Sequence, residues 1–302
     1  MRLKAGLELL LAGALWGFGF VATVWGFESF SVFQLMFLRF AIAFAAGELL
    51  KICSRKRLSL DGNHLRLSIW PAVLITGFMI LQTYGLKGTS VTNSGFITTL
   101  YVVIIPILNH FFFKTLVHKR TYVYASLALL GTYILTGANF DEVKWGDILT
   151  LMGSVVVALH ILWIERISPQ ILDSFSFNNY QSLFAALAFF PMTFLDPWPN
   201  VFAASSRALA SVVFLALGSS LIGFWIQIRA QKILNPFTAS LLFLLESPFA
   251  FFFGVWLLQE EPSQIKLLGA FLILMAAALS ILSAQTKPAE STTSSETVDG
   301  PR

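Results

Sequence analysis

Long apolar runs, separated by short polar segments, make up most of this chain. A membrane-spanning helix needs about 20 mostly apolar residues. β-barrel strands, by contrast, would be alternating segments of about ten residues, and these runs are longer and more uniformly apolar. The pattern predicts an all-α membrane protein with ten transmembrane helices, at residues 5–25, 32–50, 67–85, 93–113, 122–136, 147–164, 175–195, 209–229, 236–257 and 265–283.

Composition supports lipid as the solvent for much of the chain. Of the 302 residues, 56% are hydrophobic and only 12% are charged, whereas soluble domains carry about 25% charged residues. The first run is longer than the apolar core of a cleaved signal peptide, which has about 7–15 residues, so we predict that it is retained. The run at 122–136 is short, and eight spans remain an alternative if two of the weaker runs do not cross.

The basic residues predict how the chain is oriented. With the N-terminus inside, 15 lysines and arginines fall in inside segments and 4 fall outside. Inside loops of membrane proteins are enriched in Lys and Arg. We therefore expect a multi-pass protein of the cell membrane with both termini cytoplasmic. Because the net charge of +4 arises in these short loops, it does not indicate a nucleic-acid partner.

Two pieces of the chain resemble each other. Residues 82–100 are QTYGLKGTSVTNSGFITTL and residues 227–245 are QIRAQKILNPFTASLLFLL, so that a shift of 145 residues places Gln82 on Gln227. Each piece ends one apolar run and begins the next. Five spans in each half would make the second half enter the membrane from the opposite side. The sequence thus predicts two inverted five-helix repeats, an arrangement found in secondary transporters.

The boundary between the halves is predicted in the acidic segment GANFDEVKWG at 137–146. The first repeat would occupy residues 1–140 and the second 141–285. Beyond them, residues 286–302 have no apolar run and are rich in Ser, Thr, Pro and Glu. Such a composition cannot bury enough apolar surface to fold, and we predict a disordered cytoplasmic tail.

Several local patterns resemble the EamA family of the drug/metabolite transporter superfamily. They are LLAGALWGFGFVATVWGFES in the first run, FQLMFLRFAIA in the second, and LLFLLESPFAFFFGVWLLQEEPSQIKLLGAFLILMA across the last two. The resemblance covers residues 5–283. It implies a ten-helix bundle around a central cavity, with alternating access. It also implies transport of small organic solutes, such as amino acids or related compounds, without ATP.

Two positions depart from the family's usual pattern. Tyr101 stands where a Thr-Pro pair is more usual, and Pro106 follows five residues later. A shift of 144 residues aligns His160 with Trp16. Both positions bear on the substrate rather than on family membership.

Charges within the apolar runs are the first candidates for function, since each costs about 2.5–3.5 kcal/mol at the centre of a membrane helix. Glu246 could bind a cation or a proton, or accept from backbone groups freed by Pro248, which has no N–H to donate. Arg39 could hold a substrate carboxylate, extend to the membrane surface or tie two helices together, or pair with Glu246. His160 could relay protons or join two helices.

Polar and aromatic residues near the middle or ends of the runs are further candidates for a substrate cavity. The resemblance places Trp16 in the cavity wall, although Gly17 beside it also favours close helix packing. Gln82 and Gln227 occupy matching repeat positions. Weaker candidates for the same cavity are Tyr84, Asn93, Tyr101, Asn179, Gln181 and Trp225.

The leading hypothesis is a secondary-active transporter of small organic metabolites, working as an exporter. Within the same superfamily, the alternative is a nucleotide-sugar or sugar-phosphate exchanger, in which Lys87 and Lys232 would assist Arg39. A membrane-embedded enzyme is less favoured, because no catalytic constellation is found at one depth. A channel is also less favoured, and saturable uptake with counter-substrate exchange would distinguish a carrier from it. Proton coupling is a hypothesis, and homodimer formation is left open.

The sequence contains no Gly-rich phosphate loop of the GxxxxGK type and no His-Glu-x-x-His pattern. Its single cysteine, Cys53, cannot form an internal disulfide. We therefore expect no enzymatic activity, cofactor or metal, and we expect the partners to be the lipid bilayer and a small-molecule substrate.

Overall fold

A computed structural model describes residues 1–54, 62–89, 91–113, 119–137, 143–200, 203–257 and 264–285. The predicted tail and the centre of the segment between the halves lie outside the described residues. The described part is helical, without strands, which confirms the predicted all-α class. Its α-helices are α1 Arg2–Gly26, α2 Val32–Cys53, α3 Gly62–Gly88, α4 Val91–Thr99, α5 Tyr101–Phe113, α6 Lys119–Thr136, α7 Trp145–Ile167, α8 Ser174–Phe189, α9 Ser206–Phe214, α10 Phe224–Gln231, α11 Pro236–Phe243, α12 Glu246–Leu257 and α13 Gln264–Gln285.

Each predicted run falls on one of these helices or on two in succession. The run at 209–229 is interrupted by a π-helix at Leu215–Gly223, between α9 and α10. Leu100 separates α4 from α5. The seventh run ends earlier than predicted, because α8 gives way to a 3₁₀-helix at Phe190–Leu195 that begins around a proline.

The ninth run breaks between α11 and α12, immediately before Glu246. Pro248 cannot donate a hydrogen bond to the carbonyl oxygen of Leu244. That oxygen instead accepts from the backbone N–H of Ser247 at 3.1 Å. The tighter turn ends α11 and places Glu246 at the start of α12.

Within the described part of the chain, six helical segments are long and apolar enough to cross a membrane, judged by length and composition: Leu3–Gly26, Gly62–Gly88, Ser94–Phe112, Trp145–Gln170, Ser206–Gln231 and Pro236–Leu257. Tyr122–Leu135 and Gln264–Ser280 are shorter apolar helices. The set does not include α2 and α8. These two helices pack on each other in the bundle, and both carry buried polar side chains.

Polar contacts define two ends of the bundle. At the N-terminal end, Glu8 of α1 pairs with Arg229 of α10. The same end holds Lys232, which donates to the carbonyl oxygen of Ile171 at 2.6 Å, and the contact between the end of α2 and the start of α8.

At the other end, called the distal end below, the start of α2 meets the segment that follows α8. Gln34 Nε2 donates there to the carbonyl oxygens of Asp196 and Pro197, both at 3.1 Å. Thr89, after α3, donates to Asp147 near the start of α7. Neighbouring helices therefore run in alternating directions, and a cavity lies between the two ends.

Glycines bring some helices into backbone contact. A Cβ atom on Gly269 of α13 would lie 2.4 Å from the backbone nitrogen of Leu135 and 2.6 Å from the carbonyl oxygen of Gly131 in α6. A Cβ on Gly146 of α7 would lie 2.4 Å from the carbonyl oxygen of Gly85 in α3. Small residues at such crossings let membrane helices pack closely.

Candidate substrate cavity

A cavity in the middle of the bundle is enclosed by α1 to α5, α7, the π-helix, α10, α11 and α12. The cavity has a volume of about 110 Å³. This is enough for several water molecules, since one water needs about 10–15 Å³. Much of the wall is apolar, with Phe, Met, Ile and Leu side chains. The polar residues that line it, besides Trp16, are Thr23, Arg39, Gln82, Thr83, Ser94, Thr98, Tyr101, His160, Ser219, Gln227 and Glu246.

Several residues of the lining occupy positions that match between the two halves of the sequence. A shift of 145 residues relates Gln82 to Gln227 and Tyr101 to Glu246, and all four side chains line the cavity. The same shift relates Met79 to Phe224 and Thr98 to Phe243, which also line it. Several pairs of residues that this shift relates therefore meet at one cavity.

Arg39 brings a positive charge to this cavity. It is buried, and its Nε and Nη2 donate to the hydroxyl oxygens of Ser220 and Ser219 at 2.6 and 2.8 Å. Its guanidinium carbon also lies 6.0 Å from the ring centroid of Phe224. Among the described residues it forms no ion pair with Glu246, so the hypothesised Arg39–Glu246 pair is not made.

Glu246 contributes a carboxyl group to the same cavity. It is half-buried and opens α12 directly after the break that precedes it. Tyr101 holds the matching position in the first half, and its buried Oη has no hydrogen-bond partner within the described structure. An acceptor and a free hydroxyl thus face the cavity from related positions.

His160 lies in the cavity wall with one nitrogen satisfied and the other free. The side chain is buried, and Nε2 lies 3.1 Å from Oε1 of Gln181. Its Nδ1 has no partner among the described residues. Gln181 lies behind His160 and holds the ring in place, instead of lining the cavity as predicted.

Trp16 forms part of the wall and also joins two helices. Its Nε1 donates to the carbonyl oxygen of Ser219 at 3.2 Å. Its ring packs against Phe224 and Phe243, with centroids 5.7 and 5.6 Å away. Of the two glutamines, Gln82 bonds to the neighbouring helix α4: its Nε2 donates to Thr98 Oγ1 at 3.3 Å. Gln227 Nε2 donates to Oε1 of Gln231, one turn further along α10, at 3.1 Å.

Two predicted aromatic residues lie away from the cavity lining. Tyr84 packs on Phe33, with centroids 5.3 Å apart. Trp225 lies against Phe175 at 5.9 Å and beneath the guanidinium of Arg229 at 5.4 Å. Both sit on apolar runs, and sequence alone did not determine the helix face to which each belongs.

The remaining predicted residues are placed as follows. The side chain of Asn93 lies outside the described residues. Asn179 faces the end of α2, where its Nδ2 donates to Glu48 at 2.6 Å. Lys87 lies over the ring of Tyr84, and Lys232 bonds at the N-terminal end. Neither lysine reaches the cavity.

Sequence reasoning missed the hydroxyl groups that hold the arginine. Ser219 and Ser220 stand inside the apolar stretch LALGSSLIG. Serines are common in membrane helices, where they often bond to their own backbone, so they gave no signal by themselves. Only the π-helix and the guanidinium beside it show their role.

Comparisons with known proteins agree with this architecture. The EamA-like transporter family matches residues 3–137 and again residues 144–282. A solved crystal structure, 19% identical, superimposes with a TM-score of 0.77 and covers 94% of this chain and 99% of its own. At that identity it supports the fold alone.

Similar sequences are named as transporters. An uncharacterized transporter of Archaeoglobus fulgidus is 29% identical over 285 residues, covering 91% of this chain and 85% of that protein. The uncharacterized transporter YoaV of Bacillus subtilis is 22% identical, covering 89% and 94%. Together with the apolar helices, these matches describe a multi-pass membrane protein. Because the family covers nearly the whole described chain in two successive matches, the protein belongs to the EamA-like transporter family.

Proposed function

We propose that the protein is a secondary-active transporter of small zwitterionic metabolites such as amino acids. The observation that carries the proposal is that Arg39 and Glu246, of opposite charge, line one cavity without pairing. Arg39 would receive the substrate carboxylate and Glu246 the substrate ammonium group. A zwitterion would then neutralise both charges at once, inside a bundle where isolated charges are costly.

The hydrogen-bond partners of Arg39 suit a site that binds a substrate carboxylate and then releases it. The guanidinium offers a planar fork of donors that matches a carboxylate. In this structure the fork is held by two neutral hydroxyl groups, those of Ser219 and Ser220. A carboxylate is a stronger acceptor than a serine hydroxyl, so the substrate would displace or supplement these bonds. The serines keep the buried guanidinium hydrogen-bonded in this structure.

Ten spans arranged as two inverted five-helix repeats, at 1–140 and 141–285, complete the proposed architecture. Two successive family matches and the matched lining positions support it. Alternating access would follow from rocking of one repeat against the other around the cavity. The basic residues favour both termini in the cytoplasm, and the N-terminal end would then be the cytoplasmic end.

Export is the proposed direction, with proton coupling through Glu246 or His160. Both side chains line the cavity, where a proton taken up from one side would be released to the other. The sugar-phosphate alternative needs several cations in one cavity. It is less favoured, because Lys87 and Lys232 bond elsewhere and Arg39 is left as the cation of the lining.

The test is uptake of pooled labelled metabolites into proteoliposomes, with and without an imposed pH gradient. We expect amino acids or close relatives to accumulate with the gradient. Glu246→Gln should abolish this response, whereas Glu165→Gln, a half-buried acid of α7 outside the cavity lining, should retain it.

Counterflow identifies the class of protein. Labelled solute should exchange against unlabelled solute on the other side, as a carrier requires and a channel does not. Flux without exchange would contradict the carrier, and unchanged gradient response in Glu246→Gln would contradict coupling at that residue.

A further inference from the structure

We infer that Asn178, Asn179, Gln181 and Ser182 of α8 line the part of the transport pathway that is closed in this structure. They would meet water and the polar solute when the N-terminal end of the bundle opens. The inference rests on the proposed transport function, and it assigns a pathway surface separate from the cavity lining.

The first observation is a concentration of unsatisfied polar atoms on one stretch of helix. All four side chains are fully buried. Each has a polar atom without a hydrogen-bond partner among the described residues: Asn178 Oδ1, Asn179 Oδ1, Gln181 Nε2 and Ser182 Oγ. Buried polar atoms in folded proteins nearly always have partners, and exceptions call for a specific explanation. Among the described residues, seven buried side chains have such an atom, and four of the seven lie within five consecutive residues of α8.

The orientation of the amide groups is fixed by their other contacts. Asn178 Nδ2 lies 3.1 Å from the carbonyl oxygens of both Ser220 and Leu221, and only a donor fits there. Asn179 Nδ2 lies 2.6 Å from a carboxylate oxygen of Glu48, where an amide oxygen would be repelled. The unpartnered atoms of both asparagines are therefore acceptors.

One side of the stretch reaches the cavity wall. Gln181 touches His160, which lines the cavity. Asn178 holds the carbonyl oxygen of Ser220, the same residue whose hydroxyl accepts from Arg39. The polar face of α8 thus begins directly behind the proposed carboxylate site.

The other side of this stretch of α8 leads to the N-terminal end of the bundle. Asn179 bonds to Glu48, which also accepts from Lys51 at 2.7 Å. Lys51 is buried and lies 4.8 Å from the ring centroid of Tyr180. Polar side chains therefore lie along α8 between the cavity wall and the end of α2.

Direct contact closes this route. A Cβ on Gly47 of α2 would lie 2.0 Å from Asn179 Oδ1, so the asparagine rests on the glycine backbone. Apolar side chains would suit such a dry contact better than polar ones. Polar residues here are explained if α2 and α8 separate during the cycle and water then satisfies the free atoms.

The test is thiol labelling during transport. Cys53 is the single cysteine, so Cys53→Ser gives a background for Asn179→Cys and for the conservative Ser182→Cys. The probe is a charged, membrane-impermeant methanethiosulfonate, applied to either side of vesicles. Ala185→Cys, fully buried on the same helix, is the matched negative control, and Leu172→Cys, at an exposed position, reports full access from the N-terminal end.

We expect Ser182→Cys and Asn179→Cys to be labelled from the N-terminal side only, at least about tenfold faster than Ala185→Cys. The reason is that the N-terminal end of the bundle opens in a populated state. If vesicles transport solute and neither thiol is labelled above the Ala185→Cys rate, the inference is overturned. If both thiols are labelled but counterflow is absent for every solute, the proposed function fails while the opening of α8 stands.

Discussion

Trp16 of α1 donates a hydrogen bond from Nε1 to the backbone carbonyl oxygen of Ser219, 203 residues away, at 3.2 Å. Ser219 lies in the π-helix that interrupts the eighth run, and π-helical turns are frequent at functional sites. Arg39 of α2 and Asn178 of α8 bond to the same short segment. Three helices therefore hold the π-helix beside the cavity, and a movement of any of them would shift the π-helix.

Trp16→Phe keeps an aromatic ring against Phe224 and Phe243 but removes the donor. The carbonyl oxygen of Ser219 would lose a partner, and we expect a loss of about 1 kcal/mol in stability together with slower transport. Thermal unfolding in detergent and counterflow in vesicles measure the two effects. Trp256→Phe, at a position 68% exposed on α12, is the control. Equal behaviour of the two variants would contradict a structural role for this bond.

Arg39→Lys retains the charge but not the planar fork. A lysine ammonium cannot reproduce the paired contacts of Nε and Nη2, so we expect the KM for a transported amino acid to rise about tenfold, equivalent to about 1.4 kcal/mol. Arg207→Lys, at an exposed position on α9, should leave the KM unchanged. An unaltered KM in Arg39→Lys would remove the carboxylate from this site.

Gly269→Ala tests the contact between α6 and α13. The added methyl group would lie 2.4 Å from the backbone nitrogen of Leu135, and the two helices would have to separate. We expect a loss of about 1–3 kcal/mol in stability, the range for overpacking, seen as a lower midpoint of thermal unfolding. Gly95→Ala, with nothing within 4 Å of its added Cβ, should be neutral or slightly stabilising. A midpoint in Gly269→Ala no lower than in Gly95→Ala would show that this crossing is not tightly packed.

Gly47→Ala tests whether the contact of α2 with α8 is a closing surface. The new methyl group would press on Asn179 and favour the state in which the helices are apart. We expect faster labelling of Ser182→Cys when Gly47→Ala is added. Gly77→Ala, whose added Cβ would make an ordinary 3.7 Å contact with Val156, serves as the matched control. Slower or unchanged labelling would contradict the proposed opening.

The positions of the helices were predictable because lipid surrounds much of the chain. In lipid a chain must satisfy its backbone hydrogen bonds internally, so a long apolar run is a helix with little alternative. The interruptions were harder to foresee. Pro248 indicated freed backbone groups near Glu246, but nothing in the apolar composition of Leu215–Gly223 distinguishes a π-helix from an α-helix.

The site was predictable only where chemistry conflicts with the surroundings. Arg39, His160 and Glu246 stand out because charged or titratable groups are costly in an apolar run, and all three line the cavity. Tyr84 and Trp225 show the limit. Which face of a helix meets the cavity depends on how that helix is rotated against its neighbours, and such rotation is set by packing across the whole bundle.

The most direct test of the account is competition in counterflow among three forms of one transported amino acid. The forms are the free amino acid, its amide, which lacks the carboxylate, and its deaminated acid, which lacks the ammonium group. If Arg39 and Glu246 each bind one charge of the substrate, only the free amino acid, which is the zwitterion, competes well. Arg39→Lys and Glu246→Gln should then each weaken competition by the free amino acid. Equal competition by all three forms would contradict a site built on these two residues.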